Sequence, residues 1–247
     1  MRLSGKNAIV TGAGQGFGLA IARTFAAEGA RVACLDRNGE TAKAAADAIG
    51  RGALALVCDV SKRAEVEAAG ARAIEALGRI DILVNNAGTS HRNRPMLEVD
   101  EAEFDMVFAV NVKSIFLMAH ALVPHMRAAG GIILNIGSTA GLRPRAGLTW
   151  YNGTKGAVHL ISKSMAVELA PDKIRVCALA PVAGETPLLP MFLGEDTPEK
   201  REAFLKGVPL GRLSTPQDVA NAALFLASDE AAFLTGVVLE VDGGRCI

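Results

Sequence analysis

Short apolar runs alternate with longer helix-like segments from one end of the chain to the other. Residues 7–11 (NAIVT) read as a strand, and residues 17–28 as a helix that Gly29 ends. A second strand, 31–36 (RVACLD), leads into an alanine-rich helix over 40–49, and a third, 53–59 (ALALVCD), into a helix over 62–77. The fourth strand is 79–85 (RIDILVN); a helical stretch then covers 101–127, with a break expected near Asn111. Strand 131–137 (GIILNIG), a long helix over 151–170 and strand 174–179 follow. After a proline-rich segment, 181–198, come helical pieces and a last strand, 236–241. These strands are apolar without alternation, so both of their faces are expected to be buried, as in a parallel sheet covered by helices. Strict β-α alternation forces right-handed crossovers and predicts a doubly wound α/β sheet of about seven strands. No repeat, low-complexity tract or long linker marks a second domain, and residues 1–247 are expected to form a single one.

In a doubly wound sheet, ligands bind beyond the carboxyl ends of the strands. TGAGQGFG, residues 11–18, lies there, between the first strand and the first helix. Glycine at such a turn takes positive φ and lets a pyrophosphate approach, and the helix amino terminus then offers its N–H groups. The dinucleotide fingerprint G-x-G-x-x-G fails, because counting from Gly12 puts Phe17 where the third glycine belongs. The spacing that fits is T-G-x-x-x-G-x-G, through Thr11, Gly12, Gly16 and Gly18, with Gln15 and Phe17 in the same loop. Asp36, ending the second strand about 20 residues further on, is placed to accept hydrogen bonds from an adenosine ribose and to repel a 2′-phosphate. Arg37 leaves room for a phosphate, but Gln15 puts no cation in the loop. NAD is therefore expected over NADP.

Composition narrows the partners. Lys plus Arg equals Asp plus Glu at 26 each, so no positive field draws the chain to nucleic acid. No window approaches the roughly 20 uninterrupted apolar residues of a membrane span. The amino terminus lacks a signal peptide's apolar core. Cys34, Cys58, Cys177 and Cys246 fit neither a zinc spacing nor a disulfide framework, and the first three sit in apolar runs that suit buried small hydrophobes. No metal and a reducing, cytoplasmic setting are expected.

A second dense region holds Ser138, Tyr151 and Lys155. Tyr and Lys four apart at a helix start lie on one face, a turn apart. A free phenol with a pKa of about 10 is a poor base at neutral pH. A nearby ammonium favours the phenolate, as does a nicotinamide's positive charge. Ser138, past the fifth strand, is placed to bond the same substrate oxygen. Taken together, T-G-x-x-x-G-x-G, Asp59-Val60, Asn85-Asn86-Ala87-Gly88, Asn111, Ser138 and Y-x-x-x-K (Tyr151, Lys155) resemble the short-chain dehydrogenase/reductase family across essentially the whole chain. That resemblance implies the Rossmann-like form of the predicted sheet and hydride transfer between a nicotinamide and a carbonyl or alcohol carbon. It implies Tyr151 as the acid/base and Ser138 steadying the carbonyl oxygen. Lys155 would lower the phenol's pKa and bind the nicotinamide ribose, and Asn111 would hold a water in the proton relay. The alternative for Asn111 is a helix-break side chain bonding its own backbone. Asp59 and Val60 would border the adenine, and Asn85 to Gly88 would line the cofactor cleft and brace the sheet. Pro181 and Thr186 would contact the nicotinamide end, and a homotetramer would form through long helices and the tail, 243–247. The chain departs from the family at Val182, where glycine usually follows Pro181, and at Asn152-Gly153-Thr154.

Substrate choice is expected from loops over the cleft: 89–96, 139–150 and 188–192. The last is apolar enough for a lid or for a patch against a neighbouring subunit. Trp150 would either wall a substrate or pack internally. His91 is expected to be solvated, the alternative being contact with a polar substrate group; Arg92, Arg94, Arg143 and Arg145 are expected to form a solvated rim, the alternative being that they attract an acidic substrate or an acyl-carrier partner. The leading expectation is an NAD-dependent enzyme interconverting a secondary alcohol and a ketone. An NADPH-dependent reductase of 3-oxoacyl thioesters is the alternative within the class, and a non-catalytic dinucleotide sensor the alternative outside it. A sensor would be expected to lose Ser138, Tyr151 or Lys155, and all are present.

Overall fold

Every residue of the first strand, β1 (Asn7–Thr11), is buried, as the unbroken apolar run requires. The computed structural model describes all residues, 1–247. From β1 the chain passes through α1 (Gly16–Ala27), β2 (Arg31–Asp36), α2 (Gly39–Ile49), β3 (Leu54–Val57), α3 (Arg63–Leu77) and β4 (Ile82–Asn85). It continues through α4 (Glu101–Phe108), α5 (Ser114–Met126), β5 (Gly131–Ile136), α6 (Thr149–Leu169) and β6 (Ile174–Pro181). The short α7 (Leu189–Leu193), α8 (Pro198–Leu205), α9 (Pro216–Ala227) and β7 (Val238–Val241) complete it.

The seven strands form one sheet in the order β3-β2-β1-β4-β5-β6-β7, and every pair is parallel. Successive residues of a strand feed opposite layers. Ala8, Val10, Val32 and Cys34 join α1 and α9 in one core of 26 buried residues. Ile9, Ala33 and Leu35 join α3, α5 and α6 in another of 22. This three-layer arrangement is the doubly wound fold expected, with β3, β4 and β7 shorter than the apolar runs suggested. Cys34, Cys58 and Cys177 are buried, and burial raises all three thiol pKa values.

The chain runs outward from β1 to β3, then returns to place β4 on the other side of β1. That reversal opens a crevice at the carboxyl ends of β1 and β4, where the fold holds ligands. The expected break near Asn111 is instead one π-helical turn, Ala109–Lys113, joining α4 to α5 without interruption. Glu101–Met126 is thereby long and apolar enough to cross a membrane by length and composition alone. Its residues Leu117, Met118, Leu122 and Met126 are spent inside the core.

Candidate active site

At the β1 end, sequence spacing becomes a rigid backbone cradle. Gly12 and Gly16 take φ of 62° and 56°, a region that side chains disfavour. The Thr11 hydroxyl oxygen accepts from the backbone N–H groups of Asn86 and Ala87, each at 3.0 Å. The Asn86 amide donates to the carbonyls of Thr11 (2.8 Å) and Gly12 (3.1 Å). The β4 turn thus locks the glycine loop from the side. Gly18 lies out of the cleft wall; a Cβ there would stand 2.2 Å from the Gly12 carbonyl oxygen, so it lets α1 start against the loop. Gly14, which the sequence pattern did not single out, is as constrained: its Cβ would meet the Thr41 hydroxyl at 2.4 Å and the Asp36 carboxylate at 2.9 Å.

The cradle opens into a cleft of about 360 Å³ of water-accessible space, within the usual range of small-molecule sites. Gly12, Gln15, Gly16, Phe17, Asp36, Arg37, Asp59, Val60, Asn86, Ala87, Gly88, Ser138, Tyr151, Lys155, Pro181 and Thr186 all line it. Asp36 is held by N–H donors from Gly14 and Asn38, both at 3.0 Å, which aim the carboxylate across the end of β2. Of the expected site residues, Gly18, Asn85 and Asn111 stand behind the wall. Asn85 is buried and donates to Asn135 at 2.8 Å, so it braces the sheet.

Asn111 does not bond its own backbone. Its side chain accepts from Thr89 N–H (2.9 Å) and donates to the Thr89 carbonyl (2.9 Å) and the Thr154 hydroxyl (3.0 Å). Thr154 in turn donates to the Tyr151 carbonyl at 2.7 Å, which ties the π-turn to the first turn of α6. The Asn152-Gly153-Thr154 departure therefore supplies a buried hydroxyl that this network uses.

Tyr151 and Lys155 are both buried on one face of α6. Lys155 Nζ donates to the Ile136 carbonyl at 2.8 Å and lies 5.7 Å from the centre of the Tyr151 ring. The net pKa of the phenol is set by burial more than by the neighbouring ammonium. Burial pushes Tyr151 up to about 12, and only the hydrogen bond with Ser138 pulls it back. Burial also brings Lys155 down to about 8. Desolvation outweighs the attraction because both groups sit in the protein interior. His159, one turn beyond Lys155, is buried beneath this pair and accepts from the Ser138 N–H at 3.3 Å; burial, then the charges of Lys155 and Lys163, bring it down to about 4.

Over the cleft, the loops sort differently from expectation. Leu188 and Phe192 face the cavity, and the Phe192 ring lies 5.1 Å from that of Tyr151, so this segment covers the site. Val182 packs with Leu189, Leu193 and Phe204 in a small separate core that carries this segment. Trp150 packs edge-on against Phe104 and donates to the Met96 carbonyl, and it does not line the cavity. His91 is buried, not solvated, with Nδ1 3.0 Å from the Arg92 carbonyl oxygen. The arginine rim divides: Arg94 pairs with Glu103 and Arg92 donates to the Gly194 carbonyl, whereas Arg143 and Arg145 line the cavity. Arg245, from the tail, joins them there. Only Arg143 and Arg145 were visible as candidates in the sequence, because Arg245 lies about a hundred residues from either.

A family model described as enoyl-(acyl carrier protein) reductase matches residues 12–245. The 4-formylbenzenesulfonate dehydrogenase of Comamonas testosteroni is 50% identical over 253 residues, covering 100% of both chains. The galactitol 2-dehydrogenase (L-tagatose-forming) of Cereibacter sphaeroides is 43% identical, covering 100% of this chain and 97% of that one. A crystal structure of 3-ketoacyl-(acyl-carrier-protein) reductase from Brucella melitensis, complexed with NADH, superimposes with a TM-score of 0.95 at 48% identity, covering 99% of this chain and 100% of that one.

Proposed function

The chain belongs to the short-chain dehydrogenase/reductase family of oxidoreductases, and on that premise we propose that it is an NAD-dependent enzyme interconverting a secondary alcohol and a ketone. The observation that carries the cofactor preference is Asp36, whose carboxylate lines the cleft and is fixed by two backbone N–H groups. There it accepts hydrogen bonds from ribose hydroxyls and repels an added phosphate.

The cradle fits a dinucleotide. Gly14 and Gly18 keep side chains out of places where a Cβ would strike neighbouring atoms, and Gln15 caps α1 without a side-chain bond, leaving its first N–H groups for a pyrophosphate. Asp59 and Val60 would flank the adenine; Gly88, Pro181 and Thr186 would border the nicotinamide. When bound, the nicotinamide supplies the hydride acceptor or donor. Tyr151 carries the proton at its phenol oxygen, giving it to the carbonyl oxygen in reduction and taking it from the hydroxyl in oxidation. Ser138 steadies that same oxygen. Lys155, held by the Ile136 carbonyl, orients the nicotinamide ribose and supplies positive charge beside the phenol. Asn111, held by Thr89 and Thr154, keeps the π-turn in place as the back wall of a proton relay.

A homotetramer accords with the outer face of α6, where Leu160 and Val167 stand exposed one heptad apart, and with exposed Ile247 at the tail. Four free cysteines accord with a cytoplasmic setting. An acyl-thioester reductase is the second reading, favoured by the name of the Brucella melitensis structure. The deciding measurement is initial rate with NAD and with NADP over secondary alcohols, sugars and acyl ketones. We expect NAD to be preferred and Asp36→Ala to erode that preference by about tenfold or more, the worth of a charge-assisted contact. An unchanged cofactor ratio in Asp36→Ala would remove the basis for NAD.

A further inference from the structure

The two ends of the cleft differ in charge: Asp36 and Asp59 lie with Arg37 at one, and three arginines line the other. Its only carboxylates are Asp36 and Asp59, beside the glycine cradle. Arg143, Arg145 and Arg245 line the other end, near Tyr151, Leu148, Phe192 and Phe204. No carboxylate lies within ion-pairing distance of any of the three; the arginine ion pairs in this chain are elsewhere.

These arginines are held in place by backbone and aromatic contacts. The Arg145 guanidinium stacks 4.7 Å from the centre of the Phe204 ring, and that of Arg245 lies 5.8 Å from the same ring. Arg143 donates to the Arg245 carbonyl at 2.5 Å, and Arg245 to the Gly207 carbonyl at 3.3 Å. The Arg145 carbonyl accepts from Asn152, the residue next to Tyr151, so this loop is tied to the catalytic turn of α6. Burial first, and the charge of Arg245 second, lower the pKa of Arg145, which marks a guanidinium that has given up water without gaining an anion. Two unpaired guanidiniums sharing one ring, one of them largely out of water, are costly unless a ligand neutralises them.

We propose that Arg143, Arg145 and Arg245 form the anion-binding end of the substrate site, and that the substrate carries its reacting carbon on a compact apolar body ending in a carboxylate or sulfonate. The planar guanidinium matches either anion through paired N–H donors. Leu148, Phe192 and Phe204 enclose the apolar body, while Tyr151 and Ser138 meet the oxygen at its other end. The pyrophosphate is not the anion concerned, because its cradle is at Gly12 to Gly18. This deepens the oxidoreductase reading and rests on it.

The test is calorimetric titration of the NADH-loaded protein with benzoate, benzenesulfonate and benzyl alcohol. The first two should bind about tenfold or more tighter than the neutral alcohol, and Arg145→Gln with Arg245→Gln should remove that advantage. Arg143→Gln, at an exposed position, gives a second reading should the paired change impair folding. Anions that bind no tighter than benzyl alcohol, or equally well to every variant, overturn the proposal. So does small-anion binding that survives while turnover of an acyl thioester on an acidic carrier protein is lost, since the arginines would then face a protein. Failure to bind NADH at the outset would remove the oxidoreductase reading itself, and is seen before any anion is added.

Discussion

The two halves of the cleft are built on different principles. The cofactor half is backbone: glycines whose missing Cβ atoms leave room, locked by Thr11 and Asn86 through four hydrogen bonds. The substrate half is side chains on loops, resting on the six-residue core of Val182, Leu189, Leu193, Phe204, Val208 and Leu213, separate from the two large ones. The first half gains precision from rigidity, since a pyrophosphate is the same whatever is oxidised. The second is free to change, because its residues sit on loops beyond the carboxyl ends of β4, β5, β6 and β7 and not on the strands themselves. One cradle can therefore serve many chemistries, and the canopy carries what distinguishes this chain.

Tyr151 stands where the halves meet, and its loss should have the largest effect. Tyr151→Phe keeps the ring against Phe192 and removes only the proton carrier. Turnover should fall by about 10² to 10⁴, the usual worth of a positioned acid/base, with NADH affinity nearly unchanged. Steady-state rates paired with NADH fluorescence titration measure both. Near-normal turnover would sink the assigned mechanism, and lost NADH binding would mean that the phenol belongs to the cofactor half.

The cofactor half was legible in the sequence because its constraints are local and chemical. A positive φ at Gly12 and Gly16 demands glycine, and Asp36 follows at the end of the next strand, so spacing alone carries the message. Gly14 escaped because its constraint comes from Thr41, a residue with no recognisable pattern. The weight of burial on the phenol was illegible for a related reason: a sequence shows that Lys155 is near Tyr151, but not that both are buried. The substrate half was legible only as a set of loops. Its defining contacts join distant segments, as in Arg143 with Arg245, 102 residues apart. Arg92, Arg94, Arg143 and Arg145 look alike in the sequence, and only their partners separate the surface pair from the cleft pair.

A sharper test of rigidity in the cofactor half is Gly18→Ala. The new methyl would stand 2.2 Å from the Gly12 carbonyl oxygen, and backbone has little room to yield. Forced overpacking of this kind costs about 1–3 kcal/mol. Thermal or denaturant unfolding should show that loss, and NADH should bind more weakly as the loop shifts. Unchanged stability and affinity would show a cradle softer than its hydrogen bonds suggest.

The smallest effect, and the most informative about the canopy, is expected at Asn93. Its backbone N–H donates to the Met191 carbonyl at 2.9 Å, and its side-chain amide to the carbonyls of Ala146 (3.1 Å) and Phe192 (3.3 Å). One residue thus ties together the loops that follow β4, β5 and β6. Gly147 accommodates it, since a Cβ there would stand 2.3 Å from the Asn93 side-chain oxygen. Asn93→Ala keeps the backbone bond and removes the other two, each worth about 0.5–1.5 kcal/mol at most in a partly exposed place. The large cores are untouched, so the unfolding midpoint should move little. The covering segment should loosen over Tyr151, raising KM severalfold while NADH affinity stays constant. A change in NADH affinity equal to the change in KM would mean that the two halves are mechanically coupled, and that the canopy is not free to vary on its own.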